Sequence, residues 1–529
     1  MLLTNVRNER CLISPSSDHC DSFETPCTTL SLLAVNTSSY LQSNTELSLL
    51  SGNHTLYTTL TVKHIDRLVV GSDSLSTAAS ILCVSHTAKF EFTNISCILI
   101  SGVKFFGCGG NRVESVTNFA LINAFFNGQQ KIGIIALQVV NCTTQIENCS
   151  FISNSGGAMK VRQSNTTFLN CNFNKNHAER GGSIYGDVSS NISITNSTFC
   201  NNSAWKFGGA VFAGALAKGS SVVGSGMLSV VTSSFSYNKA TSEGGAIATW
   251  HINVSVNESK FMSNLARSST GGGGALLSGG SGVTIISDTV FESNNATTGC
   301  GGAVRMYNIK LLVFTSTFIQ NSIKDHGGAL CLQESTNELS DCTFNFNEAG
   351  TFGGAIYARN SHHTYLVRCS FDTNVVISAS GGGRAIRIYR EHLVITNSSF
   401  IDGGYLSYGD KHKDNTSNCQ ESNAGYRVSG VGLIMTSSTA LFEGTIFKGS
   451  CESIYAYKCN INFTGNNSFL EIDNEQSKAP SALYIIQSIV SIDGQCTFKH
   501  NAAVSGGAIH ASESRIDVNG ELVIANNRA

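Results

Sequence analysis

The sequence predicts an all-β chain, a single-stranded right-handed parallel β-helix (β-solenoid) of roughly 18 coils with a short N-terminal cap helix. Three observations predict it. Ten times a Phe is followed three residues later by Asn, and shortly afterwards by a glycine pair. The commonest step between these Phe residues is 26–27 residues, and a fixed period decides architecture before any single residue does. Each unit also holds Gly-Gly and β-branched runs, which disfavour helix, so the step fits one coil of three short strands and three turns.

Taken in order, residues 1–48 hold Cys11, Cys20 and Cys27 and a candidate helix around Thr28–Leu41, which together read as a Cys-containing cap. Residues 49–150 are early coils without the full motif, marked by Phe92, Cys97, Phe105 and Cys108. Residues 151–400 are the clean repeat array. Residues 401–460 read as an irregular insertion, with a polar, charged loop over Gly409–Ser422. Residues 461–529 resume the pattern at Phe463–Asn466, where Ser481-Ala482-Leu483 replaces the glycine pair, and again at Phe498. The chain stops where another glycine pair is due, so a C-terminally truncated fragment with an uncapped, self-associating end is expected.

Each coil reads as a strand, a bend, a strand carrying Phe, an Asn turn, Gly-Gly and a further strand. The structural set is Phe151, Asn154, Gly156 and Gly157; Phe235, Asn238, Gly244 and Gly245; Phe318, Asn321, Gly327 and Gly328; Phe344, Asn347, Gly353 and Gly354; and Phe498, Asn501, Gly506 and Gly507. Stacked coils align like residues about 4.8 Å apart, so Phe meets Phe and Asn amides form a ladder. Three positions before Phe lie Asn148, Asn170, Asn196, Asp288 and Asp341, types that tolerate the left-handed backbone of a tight bend. Two positions before Phe lie small residues such as Cys149, Ser197, Thr289 and Cys342, which share its inward face.

Charged residues make up 13% of the chain and the net charge is −2. No basic stripe appears along the sequence, which argues against a nucleic-acid partner. No run of about 20 apolar residues is present, so no membrane-spanning helix is expected, and no signal peptide is visible after Met1. The 18 cysteines and sixteen Asn-x-Ser/Thr sequons point to an oxidising, secretory history.

Candidate chemistry is sparse. Glycoside hydrolysis needs facing carboxylates and a lyase needs a base with acidic calcium ligands. Asp288 and Asp341 are the nearest candidates, yet they share the bend position with Asn. His362-His363 and His177 have no partner at metal-ligand spacing. No catalytic residue, metal or cofactor is expected. Gly271–Gly274 lacks the Lys of a phosphate loop and reads as one more repeat pair. Cys149 with Cys171, and Cys342 with Cys369, hold equal positions one coil apart; they form either inter-coil disulfides or a buried thiol ladder. Asn53 and Asn415 are the preferred glycosylation acceptors. Asn148, Asn196 and Asn397 are sequon and bend residues at once, and an inner ladder of their side chains would exclude glycan.

Phe-x-x-Asn followed by Gly-Gly-Ala-Ile/Leu/Val resembles the repeat of the chlamydial polymorphic outer membrane protein family, over residues 151–400 and 460–510. That resemblance implies a right-handed β-helix passenger displayed at or released from the cell surface and acting in adhesion; the resemblance does not extend to the family's C-terminal barrel. The expectation is an extracellular or cell-surface scaffold that binds glycan or a cell-surface protein without catalysis. The alternative is a polysaccharide lyase or glycoside hydrolase on a pectate-lyase-like β-helix.

Overall fold

The period near 26 becomes one turn of a parallel β-solenoid. The computed structural model describes residues 9–13, 44–49, 52–72, 79–85, 87–128, 133–215, 225–267, 271–378, 382–401, 432–449, 454–472, 481–503 and 506–529. The solenoid has about 16 turns, close to the expected number. No helix occurs among the described residues. The candidate cap helix at Thr28–Leu41, Cys20, Cys27, the Gly409–Ser422 loop and Asn415 lie outside them. The chain divides into two units, Met1–Ala240 with Ala246–Ser255, and Thr241–Gly245 with Val256–Ala529.

One coil of the second unit shows the plan. Its first strand is Leu330–Gln333, its second Thr336–Ser340, its third Thr343–Asn345, and a two-residue strand Glu348–Ala349 completes the turn. Each pairs in parallel with its counterpart one coil on: Leu330 with Ile356, Phe344 with Phe371 and Ala349 with Val376. Bends separate the strands at Glu334, Asp341 and Phe346, with φ of 54°, 55° and 54°. The predicted bend residues Asn148, Asn170, Asn196, Asp288 and Asn397 take the same left-handed backbone, at 52°, 53°, 47°, 49° and 48°. Thr315 and Arg368 also adopt it, so the bend favours Asn without requiring it.

The predicted Phe ladder fills the core. Phe126, Phe151 and Phe173 stack at 5.0 and 5.1 Å in the first unit. In the second, Phe318, Phe344, Phe371 and Phe400 stack at 4.9, 4.8 and 4.8 Å. Their planes lie within 5° of parallel, because the strand spacing fixes ring separation. Phe447 continues the stack at 4.7 Å from Phe400, so a full coil runs through part of the stretch read as irregular. At the next coil the register expectation needs correction. Phe463 sits on the second strand against Phe442, and Phe469 occupies the ladder at 4.9 Å from Phe447 and 4.5 Å from Phe498. Ile472 stands where the Asn should be, so the motif hides this coil.

The Asn ladder is fully hydrogen-bonded. Asn321 donates from Nδ2 to the Phe291 carbonyl at 2.9 Å and to Asn347 Oδ1 at 3.0 Å. Its own Oδ1 accepts from the Asn294 backbone N–H and side-chain amide, each at 3.0 Å. Asp lacks the donor and Gln adds a methylene, so Asn is the residue that closes this pattern. Asn154, Asn176, Asn202 and Asn238 repeat it in the first unit. The glycines follow a different constraint. Gly327 has φ of +70°, and a Cβ on Gly328 would collide with the Gly354 carbonyl of the next coil.

Candidate functional site

Where every coil carries the same inward residues, a site must arise from residues that differ. The cysteines and carboxylates of the sequence reading resolve first. Cys149, Cys171, Cys342 and Cys369 remain buried free thiols, so the inter-coil disulfide option gives way to the thiol ladder. In-register side chains point the same way. Each thiol takes the role a Ser plays in other coils: Cys149 donates to the Glu147 carbonyl at 3.1 Å as Ser197 does to Thr195 at 2.9 Å. Burial pushes the Cys149 thiol up to about 12 and that of Cys171 to about 11. Hydrogen bonding to Cys369, then burial, raises Cys342.

Among the described residues the disulfides lie elsewhere, at Cys83–Cys108 and Cys300–Cys331, with Cα atoms 5.0 and 5.4 Å apart. Both are out of register. Cys83 aligns with the residue before Cys108, since Leu82 pairs with Phe106. Cys300 aligns with His326, while Cys331 lies on the following strand. Diagonal placement lets the Cβ vectors converge. A separation close to one coil but not matching the motif position was the available signal.

Asp341 is exposed and held in a bidentate pair by Arg368 at 2.7 Å, which lowers its carboxyl below the ordinary range. Asp288 is an exposed bend residue. His177 bonds Ser203 Oγ at 2.7 Å and packs edge-on against Trp205. His363 lies against Tyr365 and His392, and His362 is an exposed extra residue in its bend. Gly273 and Gly274 occupy the glycine-pair position as expected. Asn53 is exposed on its strand. Asn148, Asn196 and Asn397 are exposed too; Asn196 bonds Asn170 on the outside, while the inner ladder belongs to the repeat Asn. Among the described residues, no group of three or more His, Cys, Asp or Glu is placed to hold a metal.

Inside the second unit one polar chain departs from the repeat. Asn337 donates to Thr364 Oγ1 at 3.0 Å, and the Thr364 hydroxyl donates to Glu391 Oε1. Glu391 Oε2 has no partner. Burial raises this carboxyl to about 8, with the Thr364 bond opposing.

Outside, the first strands form a surface that the motif did not reveal. Ile356–Arg359, Ile386–Tyr389, Leu433–Thr436, Ile454–Tyr457 and Leu483–Ile486 pair in register. Their outward positions make two rows. One runs Tyr357, Arg387, Ile434, Tyr455, Tyr484, in which Tyr357 and Ile434 are buried; the other, Arg359, Tyr389, Thr436, Tyr457, Ile486, is solvent-accessible along its length. The bends that follow add Arg390 and Lys458. Arg359 lies 5.8 Å and Arg390 5.0 Å from the Tyr389 ring, and Lys458 lies 5.0 Å from Tyr457. Arg387 sits 5.5 Å from Phe352, and burial draws its guanidinium down from its ordinary value. Tyr455 stacks on Tyr484 at 5.5 Å, and Tyr484 on His510 at 4.5 Å. None of these five strands contains Asp or Glu. Cation and aromatic ring side by side give this face positive charge and flat apolar area together.

The family match agrees with the coil pattern. Residues 232–249 match the Chlamydia polymorphic membrane protein repeat. That stretch contains Phe235, Asn238 and the Gly244-Gly245 pair, so the chain carries the repeat on the residues that stack its coils. Metabotropic glutamate receptor-like protein R of Dictyostelium discoideum is 26% identical over 251 residues, 47% of this chain and 13% of that protein. Probable autotransporter YfaL of Escherichia coli strain K12 is 28% identical over 163 residues, 28% of this chain and 13% of that protein. The matched region is therefore a small part of either relative. Among solved structures, the catalytic domain of a GH87 alpha-1,3-glucanase in complex with tetrasaccharides aligns over 70% of this chain and 62% of its own at 11% identity, TM-score 0.25. PfbA, a surface adhesin of Streptococcus pneumoniae, aligns over 91% and 84% at 9% identity, TM-score 0.19. Neither carries a residue role across to this chain.

Proposed function

We propose that the chain is an extracellular or cell-surface solenoid, a structural and adhesive scaffold that binds a glycan or a cell-surface protein without catalysis. One observation carries the reading. The repeated residues are consumed by coil stacking, whereas the outward row Arg359, Tyr389, Thr436, Tyr457, with Arg390 and Lys458 beside it, varies from coil to coil and stays accessible. Residues spent on stacking cannot bind a partner; an exposed aromatic and basic surface can. The repeat match and the autotransporter relative support a surface location. No described helix is long and apolar enough to cross a membrane.

The test is incubation with a panel of acidic and neutral polysaccharides, with and without calcium, measuring retention and the release of reducing ends or unsaturated products. Retention without product release is expected. Product release would overturn the scaffold reading in favour of a polysaccharide lyase or hydrolase.

A further inference from the structure

We propose that the outward row of the first strands from Arg359 to Tyr457, with the bend residues Arg390 and Lys458 beside it, is a track for a linear anionic polysaccharide, lying along the solenoid axis and across the strands. This rests on the scaffold reading above and adds the ligand's charge, its direction and the residues that hold it.

The first support is unspent charge. Several cations elsewhere in this unit are matched to carboxylates, Arg305 to Glu243 at 2.9 Å, Arg368 to Asp341 at 2.7 Å and Lys448 to Glu471 at 3.3 Å, whereas isolated lysines such as Lys310 and Lys324 stand without an aromatic ring beside them. Among the described residues, Arg359, Arg387, Arg390 and Lys458 have no carboxylate within ion-pair distance; their recorded side-chain partners are aromatic rings. Arg359, Arg390 and Lys458 are exposed. A guanidinium beside a ring keeps its donor edge available for a planar or tetrahedral anion. Uronate carboxylates and sulfate esters share that chemistry.

The second support is spacing. Arg359, Tyr389, Thr436 and Tyr457 are register partners on successive coils, hence about 4.8 Å apart along the axis. Tyr389 and Tyr457 are two coils apart, as are Arg390 and Lys458. The Tyr389–Arg390 pair and the Tyr457–Lys458 pair therefore stand about 9.6 Å apart. A polymer whose unit is two sugars, one of them charged, places a pyranose face and an anion at such an interval. A neutral ligand leaves the cations unused, and a chain running along a strand meets only one coil's set.

The third support is the type of aromatic. Tyr389 and Tyr457 are half-buried, their packing fixing the rings while the outer edges stay accessible. Tyrosine offers flat apolar area to sugar C–H groups and a hydroxyl to sugar oxygens at small entropy cost.

The experiment immobilises polygalacturonate, heparin, chemically desulfated heparin and neutral dextran, and measures binding of the full chain across a salt series. Binding to at least one polyanion, weakening with salt and absent on dextran, is expected. Heparin against desulfated heparin and polygalacturonate separates sulfate from carboxylate as the anion read. The Arg359→Ala/Arg390→Ala/Lys458→Ala variant should lose at least about tenfold in affinity and bind with a shallower salt dependence, because three charge-assisted contacts are removed. Tyr389→Ala with Tyr457→Ala should lose affinity with the salt dependence retained. Arg515→Ala, outside the track, is the control and should bind as the parent chain. Thermal melting of each variant keeps folding separate from binding. Equal binding to dextran, unchanged binding by the triple variant at parental melting temperature, or no binding to any polyanion at low salt overturns the track. Retention on neutral polysaccharide alone would sink this inference and leave the scaffold reading standing; product release would remove the scaffold reading itself.

Discussion

The inside and the outward first-strand face of the second unit are built on the same register and obey opposite rules. Inside, Phe318, Phe344, Phe371 and Phe400 are one residue type repeated, and so are Asn294, Asn321 and Asn347. Outside, register partners of Arg359 are Tyr, Thr and Tyr. A buried position has a neighbour of its own kind above and below, so only residues that pack or bond to themselves persist there. An outward position has solvent or a partner as its third neighbour and is free to differ. The difference teaches that repetition reports stacking and its loss reports use; interior variation is mostly conservative in size, as where Cys replaces Ser, and Glu391 is the ionisable departure from it.

The largest break in this contrast is Phe318→Ala. It removes a ring that is fully buried between two others, and urea unfolding should show a loss of about 3–5 kcal/mol. Next is that departure. The Glu391 carboxyl titrates near 8 when folded against 4.5 in the unfolded chain. The folded state therefore binds more protons between these values, and stability falls as pH rises through that window. The slope approaches about 1.4 kcal/mol per pH unit, with the contribution fully present below about 4.5. Glu391→Gln should flatten the profile from pH 5 to 8; an unchanged slope would show that the carboxyl is not buried as described. Asn321→Leu comes third. It strands the Asn294 backbone N–H and amide donor on one side and takes the amide donor from the Phe291 carbonyl, while Asn347 Oδ1 keeps the backbone N–H of residue 321, and about 1–3 kcal/mol should be lost. Smallest is Arg390→Ala, an exposed bend residue, which should move unfolding by no more than about 0.5 kcal/mol while weakening polyanion retention. A large stability loss there would erase the distinction between the two faces.

Legibility in the sequence follows the same division. The Phe and Asn ladders, the glycine pair and the left-handed bends were readable because each repeats with the coil. Phe447 and Phe469 were hidden because their coils lack the accompanying Asn, Ile472 standing in one case. Cys83–Cys108 and Cys300–Cys331 escaped notice because diagonal neighbours share no motif position. The cationic face was invisible as a stripe: Arg359, Arg387 and Lys458 are separated by whole coils in the chain and come together only through register. Composition near neutrality concealed a local excess of positive charge.

The parallel pairing of each strand with its counterpart one coil on has a kinetic consequence. Each completed coil presents the hydrogen-bonding edge on which the next is laid, so growth within a unit resembles addition to a filament end, with successive monomers supplied by one chain. The slow event is then making the first two coils, after which extension is local. A defect such as an unpaired ladder position acts as a fault line: it divides the growing stack into segments that melt separately, and hydrogen exchange would map it as a step in protection along the sequence.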